Sequence, residues 1–201
     1  MYKNWRNLIK PKRLEAAELT GTYGKFVAEP FERGFRTTLG NSLRRILLSS
    51  LQGAAITSVR MKNVPHEFSS VPGVTEDVTD IILNLKGVKV RLHGHDNRNV
   101  RIVQKGPGII RAGDIITDSN VEILNPDHHI ATCGEETDLE IDMSVSMGKG
   151  YVAAERGRDE NAPVGTIPID AIFSPIIKVN YNVSNARVGH MTDYDKLTLE
   201  V

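Results

Sequence analysis

The apolar residues between positions 35 and 51 recur with the period of an α-helix. At about 100° per residue they fall on one arc of about 160°, the width of a helix face that packs on a core. Leu48 projects from the opposite arc, where its neighbours are polar. The predicted apolar face consists of Phe35, Leu39, Leu43, Ile46, Leu47 and Leu51, and the polar neighbours of Leu48 are Asn41, Arg44 and Arg45. We therefore predict a helix with an apolar core face and an outer face that carries one Leu among cations.

The outward Leu48 has two interpretations. A Leu surrounded by Arg has the composition of an interface anchor with a polar rim. A single exposed Leu is also common on protein surfaces that bind nothing. The periodicity of the helix is the same in both cases, so the pattern alone leaves both open.

A second helix is predicted at residues 75–86. Its apolar positions share an arc of about 100° and are Val74, Val78, Ile81, Ile82 and Leu85. Thr75 is the predicted N-cap, and Gly87 follows the end of the helix. Glu76 and Asp77 place negative charge in the first turn, where it favours the helix dipole. A helix with one narrow apolar face is expected to cover a sheet.

Most of the remaining pattern predicts strands. A hairpin is expected at residues 13–18 and 25–29, and alternation of apolar and polar residues returns at 54–64. Between 88 and 153, short strand-like segments are separated by Gly, Pro, Asn and Asp, and the strand pattern resumes at 176–184 and 196–201. The first helix and the last strands flank a long strand-rich region, which predicts an α+β protein with two domains.

Composition narrows the function classes. The chain has 201 residues, of which 40% are hydrophobic, and Lys plus Arg equals Asp plus Glu at 25 each. Without a basic excess, nucleic acid is not favoured as the principal ligand. Residues 1–14 are basic but lack an apolar run, so we expect no signal peptide, no membrane span and a cytoplasmic protein. The single cysteine, Cys133, cannot form an internal disulfide and is expected to be a small core residue.

Candidate chemical sites are few. His93 and His95 lie two residues apart beside Asp96, so one side of a strand could present two imidazoles to a metal. A third ligand is not evident, and we favour a hairpin tip there. His128 and His129 are adjacent and should point to opposite faces of a strand, one paired or buried and the other solvated. We expect no catalytic residue, no metal and no cofactor, although a metal hydrolase that uses His93, His95 and Asp96 stays an alternative.

Several segments resemble one family in the same order along the chain. They begin with ERGF at 32–35, TLGN at 38–41 and LRRILLSS at 43–50, and continue with HEFS at 66–69, GVTEDV at 73–78 and ILNLKG at 82–87. VEI at 121–123, GKGYV at 148–152, SP at 174–175, YNV at 181–183 and residues 193–200 follow. The chain thus resembles the N-terminal region of the bacterial RNA polymerase alpha subunit from about residue 8 to 201, a span far more specific than any short motif.

The resemblance implies an architecture and a function. The fold would combine a discontinuous dimerisation domain, made of 1–52 and 177–201, with an inserted β-rich domain at 53–176. The dimer would be a non-catalytic scaffold for assembly of the beta and beta-prime subunits, which perform the magnesium-dependent chemistry. Alpha subunits continue with a second long helix, a linker and a small DNA-contacting domain. We therefore expect this chain to be part of a longer protein. A homodimeric adaptor unrelated to transcription is the other alternative.

The resemblance also implies roles for individual residues. Beta-subunit contacts are expected from Arg45 and Leu48, then from Arg44 and Asn41. Lys86 and Phe173 are weaker candidates for beta-prime contacts. The residues expected to face the dimer or the underlying sheet are Phe35, Leu39, Leu43 and Leu47. The charged segment at 155–163 is expected to form a mobile loop that could bind a regulator.

Overall fold

The computed structural model of the protein describes residues 9, 11, 13–94, 96–156, 162–188 and 191–201. Within them the chain forms two α-helices, α1 (Phe35–Ser49) and α2 (Val78–Lys86), and fourteen strands. The predicted α+β class is confirmed. The chain separates into two compact units, unit 1 (Met1–Leu51 and Pro175–Val201) and unit 2 (Gln52–Ser174). The strands are β1 (Leu14–Leu19), β2 (Gly24–Phe31), β3 (Gln52–Met61), β4 (Val90–Leu92), β5 (Arg98–Lys105), β6 (Gly108–Arg111), β7 (Val121–Ile123), β8 (His129–Cys133), β9 (Asp138–Lys149), β10 (Tyr151–Val152), β11 (Thr166–Pro168), β12 (Ala171–Ile172), β13 (Asn180–Val188) and β14 (Met191–Glu200).

Unit 1 is a four-stranded antiparallel sheet with α1 packed on β13 and β14. The strand order is β1-β2-β14-β13, so the two ends of the sequence meet in the middle of the sheet. The predicted hairpin of β1 and β2 is confirmed, with Leu14 opposite Ala28. In the described part of this unit, the buried apolar residues are Ala28, Val179, Ala186 and Leu197. The core of unit 1 is therefore thin and consists mainly of small side chains.

The residue that precedes helix α1 has a backbone conformation that glycine adopts without strain. Its N-cap is Gly34, with φ 90°, in the left-handed region that disfavours residues with a Cβ. The N–H of Gly34 donates to Oδ2 of Asp195 on β14 at 2.9 Å. The first turn of the helix is thus tied to the sheet by a side chain from the other end of the sequence.

The middle of α1 rests directly on an aromatic ring. Gly40 is buried, and a Cβ placed on it would lie 2.5 Å from Cδ2 and 2.9 Å from Cγ of Tyr181 on β13. The absence of a side chain at residue 40 is what allows this close approach. The line of contact between helix and sheet therefore runs through Gly40.

This line of contact corrects the predicted core face of α1. Leu39 and Leu47 are half-buried, but Phe35, Leu43 and Ile46 are 47%, 39% and 53% exposed, so the core interpretation of these three residues is wrong. At about 100° per residue, Leu47 lies within about 20° of Gly40, whereas Phe35 and Ile46 lie about 120–140° away. The predicted apolar face turns largely away from the sheet because the sheet meets the helix beside that face and not at its centre.

Unit 2 contains the larger core. Its main sheet has the order β5-β9-β3-β4-β7, with β11 paired to β3, and two-stranded ribbons are formed by β6 with β8 and by β10 with β12. Strand β9 alternates strictly, burying Leu139, Ile141, Met143 and Val145. These residues share one buried cluster with Val78, Ile81 and Leu85 of α2 and with Cys133. The predicted apolar face of α2 and the core position of Cys133 are confirmed.

The start of α2 differs from the prediction. The N-cap is Asp77, whose carboxylate accepts the N–H of Asp80 at 2.7 Å, and not Thr75. Residues 74 and 75 are drawn onto β8 instead, since Val74 bridges Cys133 and the N–H of Thr75 donates to the carbonyl of Thr132. Pairing with a distant strand therefore replaces the predicted first turn, and the helix begins at residue 78 instead of residue 75. Gly87 is the C-cap, after the predicted end at residue 86.

Replacing Gly40 with Ala should destabilise the protein. Helix propensity alone would favour Ala by about 1 kcal/mol, but the new Cβ would overlap Cγ of Tyr181, an atom fixed close to the backbone, and overpacking costs about 1–3 kcal/mol. We expect Gly40→Ala to lower the midpoint of thermal unfolding followed by circular dichroism. Gly21→Ala is the matched control, because no atom lies within 4 Å of its added Cβ. A Gly40→Ala protein at least as stable as the wild type would contradict the packing described above.

Candidate protein interfaces

The outer face of α1 presents cations around a partly buried Leu. Asn41, Arg44 and Arg45 are exposed, and Leu48 is half-buried beside them. Among the described residues, neither Arg44 nor Arg45 forms an ion pair, so both guanidinium groups are available to a carboxylate outside this chain. This composition fits an interface with an apolar anchor and a polar rim. The assignment of these four residues to a partner stays a prediction.

A second surface of α1 is apolar. Phe35, Leu43 and Ile46 project from one side of the helix and are at least one-third exposed. Large apolar side chains clustered on one face mark interaction sites more often than isolated ones do. We call these three residues, with the half-buried Leu39, the apolar arc of α1.

In unit 2, Lys86 is held at the end of α2 by an ion pair. Its Nζ lies 3.1 Å from Oδ2 of Asp170, while Oδ1 of Asp170 accepts the N–H of Ala154 at 2.9 Å. That backbone hydrogen bond and then Lys86 lower the pKa of Asp170, and the Tyr151 side chain contributes less. The ammonium group of Lys86 is therefore oriented before any partner arrives.

Next to Asp170, the β10–β12 ribbon carries two exposed apolar residues that the sequence analysis did not single out. Tyr151 and Ile172 are 63% and 60% exposed and lie directly opposite each other in the ribbon. The alternation of a two-residue strand is too short to find from sequence. Together with Lys86 and Asp170 they form what we call the ribbon surface of unit 2.

Phe173 is not part of the ribbon surface. It is only 6% exposed, and a Cβ on Gly148 would lie 2.5 Å from its ring. The N–H of Phe173 donates to the carbonyl of Gly150 at 2.8 Å, which turns the ring inward. The prediction that Phe173 contacts a partner is corrected accordingly: its side chain packs within unit 2.

The histidine candidates are engaged in ordinary contacts. His93 lies 3.5 Å from Glu122, and His95 lies outside the described residues. Nε2 of His128 is 2.9 Å from the carbonyl of Asn84, and His129 pairs with Glu76. Across the described ranges, no three His, Cys, Asp or Glu side chains are grouped closely enough to hold a metal ion. Residues 157–161, in the predicted mobile loop, are also outside the described part.

Glu76 is the most heavily bonded carboxylate among these candidates. Oε2 accepts the N–H of Thr132 at 2.7 Å, and Oε1 accepts the hydroxyl of Thr132 at 3.1 Å and lies 2.8 Å from Nε2 of His129. Burial alone would raise the pKa of Glu76, but the hydrogen bonds from Thr132 and His129 outweigh it and lower that pKa below the ordinary value of 4.5. The carboxylate joins the segment before α2 to β8, which is a structural role.

An open groove of about 540 Å³ lies along the edge of unit 2 near β11. Its charged lining is already paired, since Arg60 lies 2.7 Å from Asp142 and Lys62 lies 2.7 Å from Asp138. Arg60 first, and Arg101 in addition, lower the pKa of Asp142 against the opposing effect of burial. The groove thus presents a neutralised polar surface to solvent.

The exposed features of α1 and of the β10–β12 ribbon define a protein suited to contacts with other proteins. The chain belongs to the family described as RNA polymerase Rpb3/RpoA insert domain, whose model matches residues 59–174. This match covers most of unit 2.

Relatives extend the similarity over the whole chain. It is 73% identical to the DNA-directed RNA polymerase subunit alpha of Geobacter metallireducens and 69% identical to that of Pelobacter propionicus, in each case over all of this chain and 60% of the relative. The identity to the subunit alpha of Syntrophus aciditrophicus is 57%, over all of this chain and 59% of the relative. The chain therefore spans about 60% of the length of these curated relatives. Neither helix in the described ranges is both long enough and apolar enough to cross a membrane.

Acidification should remove the contribution of Glu76 to stability. Because its pKa is lowered on folding, this contribution is present above the unfolded pKa and is lost as the pH falls through the folded pKa. We expect Glu76→Gln to lower the free energy of unfolding at neutral pH by about 1.5–3 kcal/mol. The difference from the wild type should shrink as the pH falls below the ordinary carboxyl value of about 4.5 and should vanish below the folded pKa.

Urea denaturation at several pH values measures this difference, with Glu67→Gln, an exposed carboxyl in the preceding loop, as the control. A deficit of Glu76→Gln that stays constant on acidification would contradict the role assigned to the ionised carboxylate.

Proposed function

We propose that this chain is the assembly region of a DNA-directed RNA polymerase alpha subunit. It acts as a non-catalytic scaffold that forms a homodimer and brings the beta and beta-prime subunits together for transcription. Family membership and the names of the relatives support this function. Nucleotidyl transfer is a property of the assembled polymerase, performed by the large subunits in the cytoplasm at the nucleoid. Contact with DNA is assigned mainly to a C-terminal domain beyond residue 201.

The observation that carries the proposal is the apolar arc of α1 above the thin core of unit 1. Four buried apolar residues, two of them Ala, supply little hydrophobic stabilisation to the described part of this unit. Phe35, Leu43 and Ile46 expose apolar area that association with a second copy would bury. A two-fold pairing of α1 with its equivalent would be self-complementary, as symmetric dimers require. We therefore assign the apolar arc to the dimer contact.

The outer face of α1 is proposed to bind the beta subunit. Arg45 is the first candidate that the resemblance implies, and its guanidinium is exposed and forms no ion pair among the described residues. Leu48 would supply about 1.5–3 kcal/mol if an apolar pocket covered it fully. Arg44 and Asn41 would form the rim. Charged rims and apolar centres of this kind combine specificity with affinity.

The ribbon surface is proposed to bind the beta-prime subunit. Lys86 is oriented by Asp170, and the exposed pair of Tyr151 and Ile172 adds apolar contact area beside it. Tyr is enriched at interface hot spots because it combines a large ring with a polar group and few rotamers. Phe173, buried against Gly148, would support this surface from inside unit 2.

Arg45→Ala should weaken capture of the beta subunit without unfolding the protein. An exposed Arg contributes little to the core, whereas the loss of an interface hot spot reduces affinity by about ten-fold or more. Affinity purification of the tagged full-length protein from its own cells, with mass spectrometry of the retained chains, measures the effect.

Arg91→Ala is the control for this experiment, because Arg91 is an exposed Arg of unit 2 paired only with its cross-strand neighbour Glu122. Failure of the folded wild-type protein to retain either large polymerase subunit would refute the scaffold function and favour an adaptor unrelated to transcription.

Ile46→Glu should dissociate the dimer. A carboxylate within the apolar arc would have to be buried unpaired in the dimer, which costs several kcal/mol. The average mass in solution, measured by sedimentation equilibrium, should fall by about half, while circular dichroism stays unchanged. Leu83→Glu is the matched control, since Leu83 is equally exposed on α2 of unit 2. Dissociation by both substitutions, or by neither, would contradict the assignment of the arc.

A further inference from the structure

We infer that Asp195 is a positioning residue that holds the interface helix α1 in its binding orientation. The inference rests on the proposed scaffold function and concerns the same helix surfaces. The side chain of Asp195 bonds to Gly34 and Arg36 at the N-terminal end of the helix and not to Arg45 or Leu48. Its effect on a partner would pass through the placement of α1.

Helix α1 lacks a local cap. The N-cap residue, Gly34, has no side chain to accept a hydrogen bond from the first turn, and the first turn contains no acidic residue. The first N–H groups of a helix have no partner within it, and a negative charge there is favourable. The N–H of Phe35 is bonded locally, by the carbonyl of Glu32 at 3.3 Å, but the partner of the N–H of Gly34 comes from elsewhere in the fold.

Asp195 supplies that partner from β14, 161 residues along the chain. It is 2% exposed, one of the few buried charged residues in the described structure. Oδ2 accepts the N–H of Gly34 at 2.9 Å, and Oδ1 lies 3.1 Å from Nη1 of Arg36. Both carboxylate oxygens are thus used, one by the N-cap residue and one by a side chain of the first turn. An Asn in its place would have the same size, but its amide NH2 group would face either the N–H of Gly34 or the guanidinium of Arg36. Two donors cannot form a hydrogen bond with each other.

Arg36 extends the attachment to a second strand. The same Nη1 that pairs with Asp195 also lies 3.3 Å from Oδ1 of Asn185 and 3.5 Å from the carbonyl of Ser184, both on β13. The first turn of α1 is therefore attached to the two strands on which the helix packs. A buried carboxylate between two such donors tolerates little movement, because any displacement leaves a charge desolvated and unpaired.

Two contacts hold the first half of α1 on the sheet: the Asp195 cluster at its start and the contact of Gly40 with the ring of Tyr181. If the first is removed, Gly40 becomes a pivot. Arg45 lies five residues beyond Gly40, or about 7.5 Å along the axis, so a tilt of about 10° moves it by about 1 Å. Interface side chains must be held to about 0.5 Å to keep their affinity. Loss of Asp195 is thus expected to reach a surface that it does not touch.

The test compares binding for each folded molecule and not total binding. Asp195→Asn, Arg36→Ala, Arg36→Lys and the control Lys196→Ala would be made in the full-length tagged protein, and the folded fraction determined by circular dichroism at low temperature. Lys196 is the neighbour of Asp195 on β14 but pairs with Glu29 and not with α1. Capture of the purified beta subunit is then divided by the folded fraction.

We expect Asp195→Asn and Arg36→Ala to reduce capture for each folded molecule by about ten-fold. Arg36→Lys, which keeps the positive charge, should restore most of it, and Lys196→Ala should match the wild type. If the Asp195→Asn protein does not fold, the capture measured for each folded Arg36→Ala molecule tests the inference by itself. Capture that follows the folded fraction alone would overturn the inference and leave Asp195 a purely stabilising role. Absence of capture by the wild type would instead refute the proposed function, so the two failures are distinguishable.

Discussion

The organisation of unit 1 depends on one buried carboxylate. Asp195 lies in the middle of the four-stranded sheet and bonds both to the N–H that precedes α1 and to the guanidinium of Arg36 in its first turn. Removing Arg36 would leave this carboxylate buried without its cation, a loss that costs about 3–5 kcal/mol when both partners are buried. The side chain of Arg36 is 30% exposed, so the cost here is smaller. In a unit whose buried apolar side chains are few and small, such a polar contact carries an unusual share of the specificity of packing.

The two units differ in how much apolar surface they bury internally. In unit 2, strict alternation along β9 and the apolar face of α2 bring large aliphatic side chains into one buried cluster, so its stability is internal. In unit 1, the helix lies on the sheet through Gly40 and turns Phe35 and Ile46 toward solvent. A well-packed unit and a unit with an uncovered apolar face suit the proposed scaffold, in which the second gains part of its stability by association.

Segments with a long, regular spacing of apolar residues were predictable from the sequence, and short strands and the start of α2 were not. Local patterns predict the hairpin of β1 and β2, both helices and the apolar face of α2. In each of these segments the apolar residues repeat at the same spacing over several positions. The start of α2 at residue 78 does not follow from such a pattern, because Thr75 pairs with β8, 57 positions away. Strands β6 and β8 and the β10–β12 ribbon were also missed, since segments of two to five residues carry too little alternation to be recognised.

The sequence by itself determined the α+β class, the family resemblance and the helix that carries Arg45 and Leu48, since these rest on composition, on periodicity within segments and on motifs in a fixed order along the chain. Only the tertiary structure decided which side of that helix meets the sheet. The contact of Gly40 with Tyr181 and the bonds of Asp195 to the first turn of α1 join residues more than 140 positions apart. Helical periodicity specifies which residues share a face, but the partner of each face depends on strands that are distant in sequence and adjacent in space.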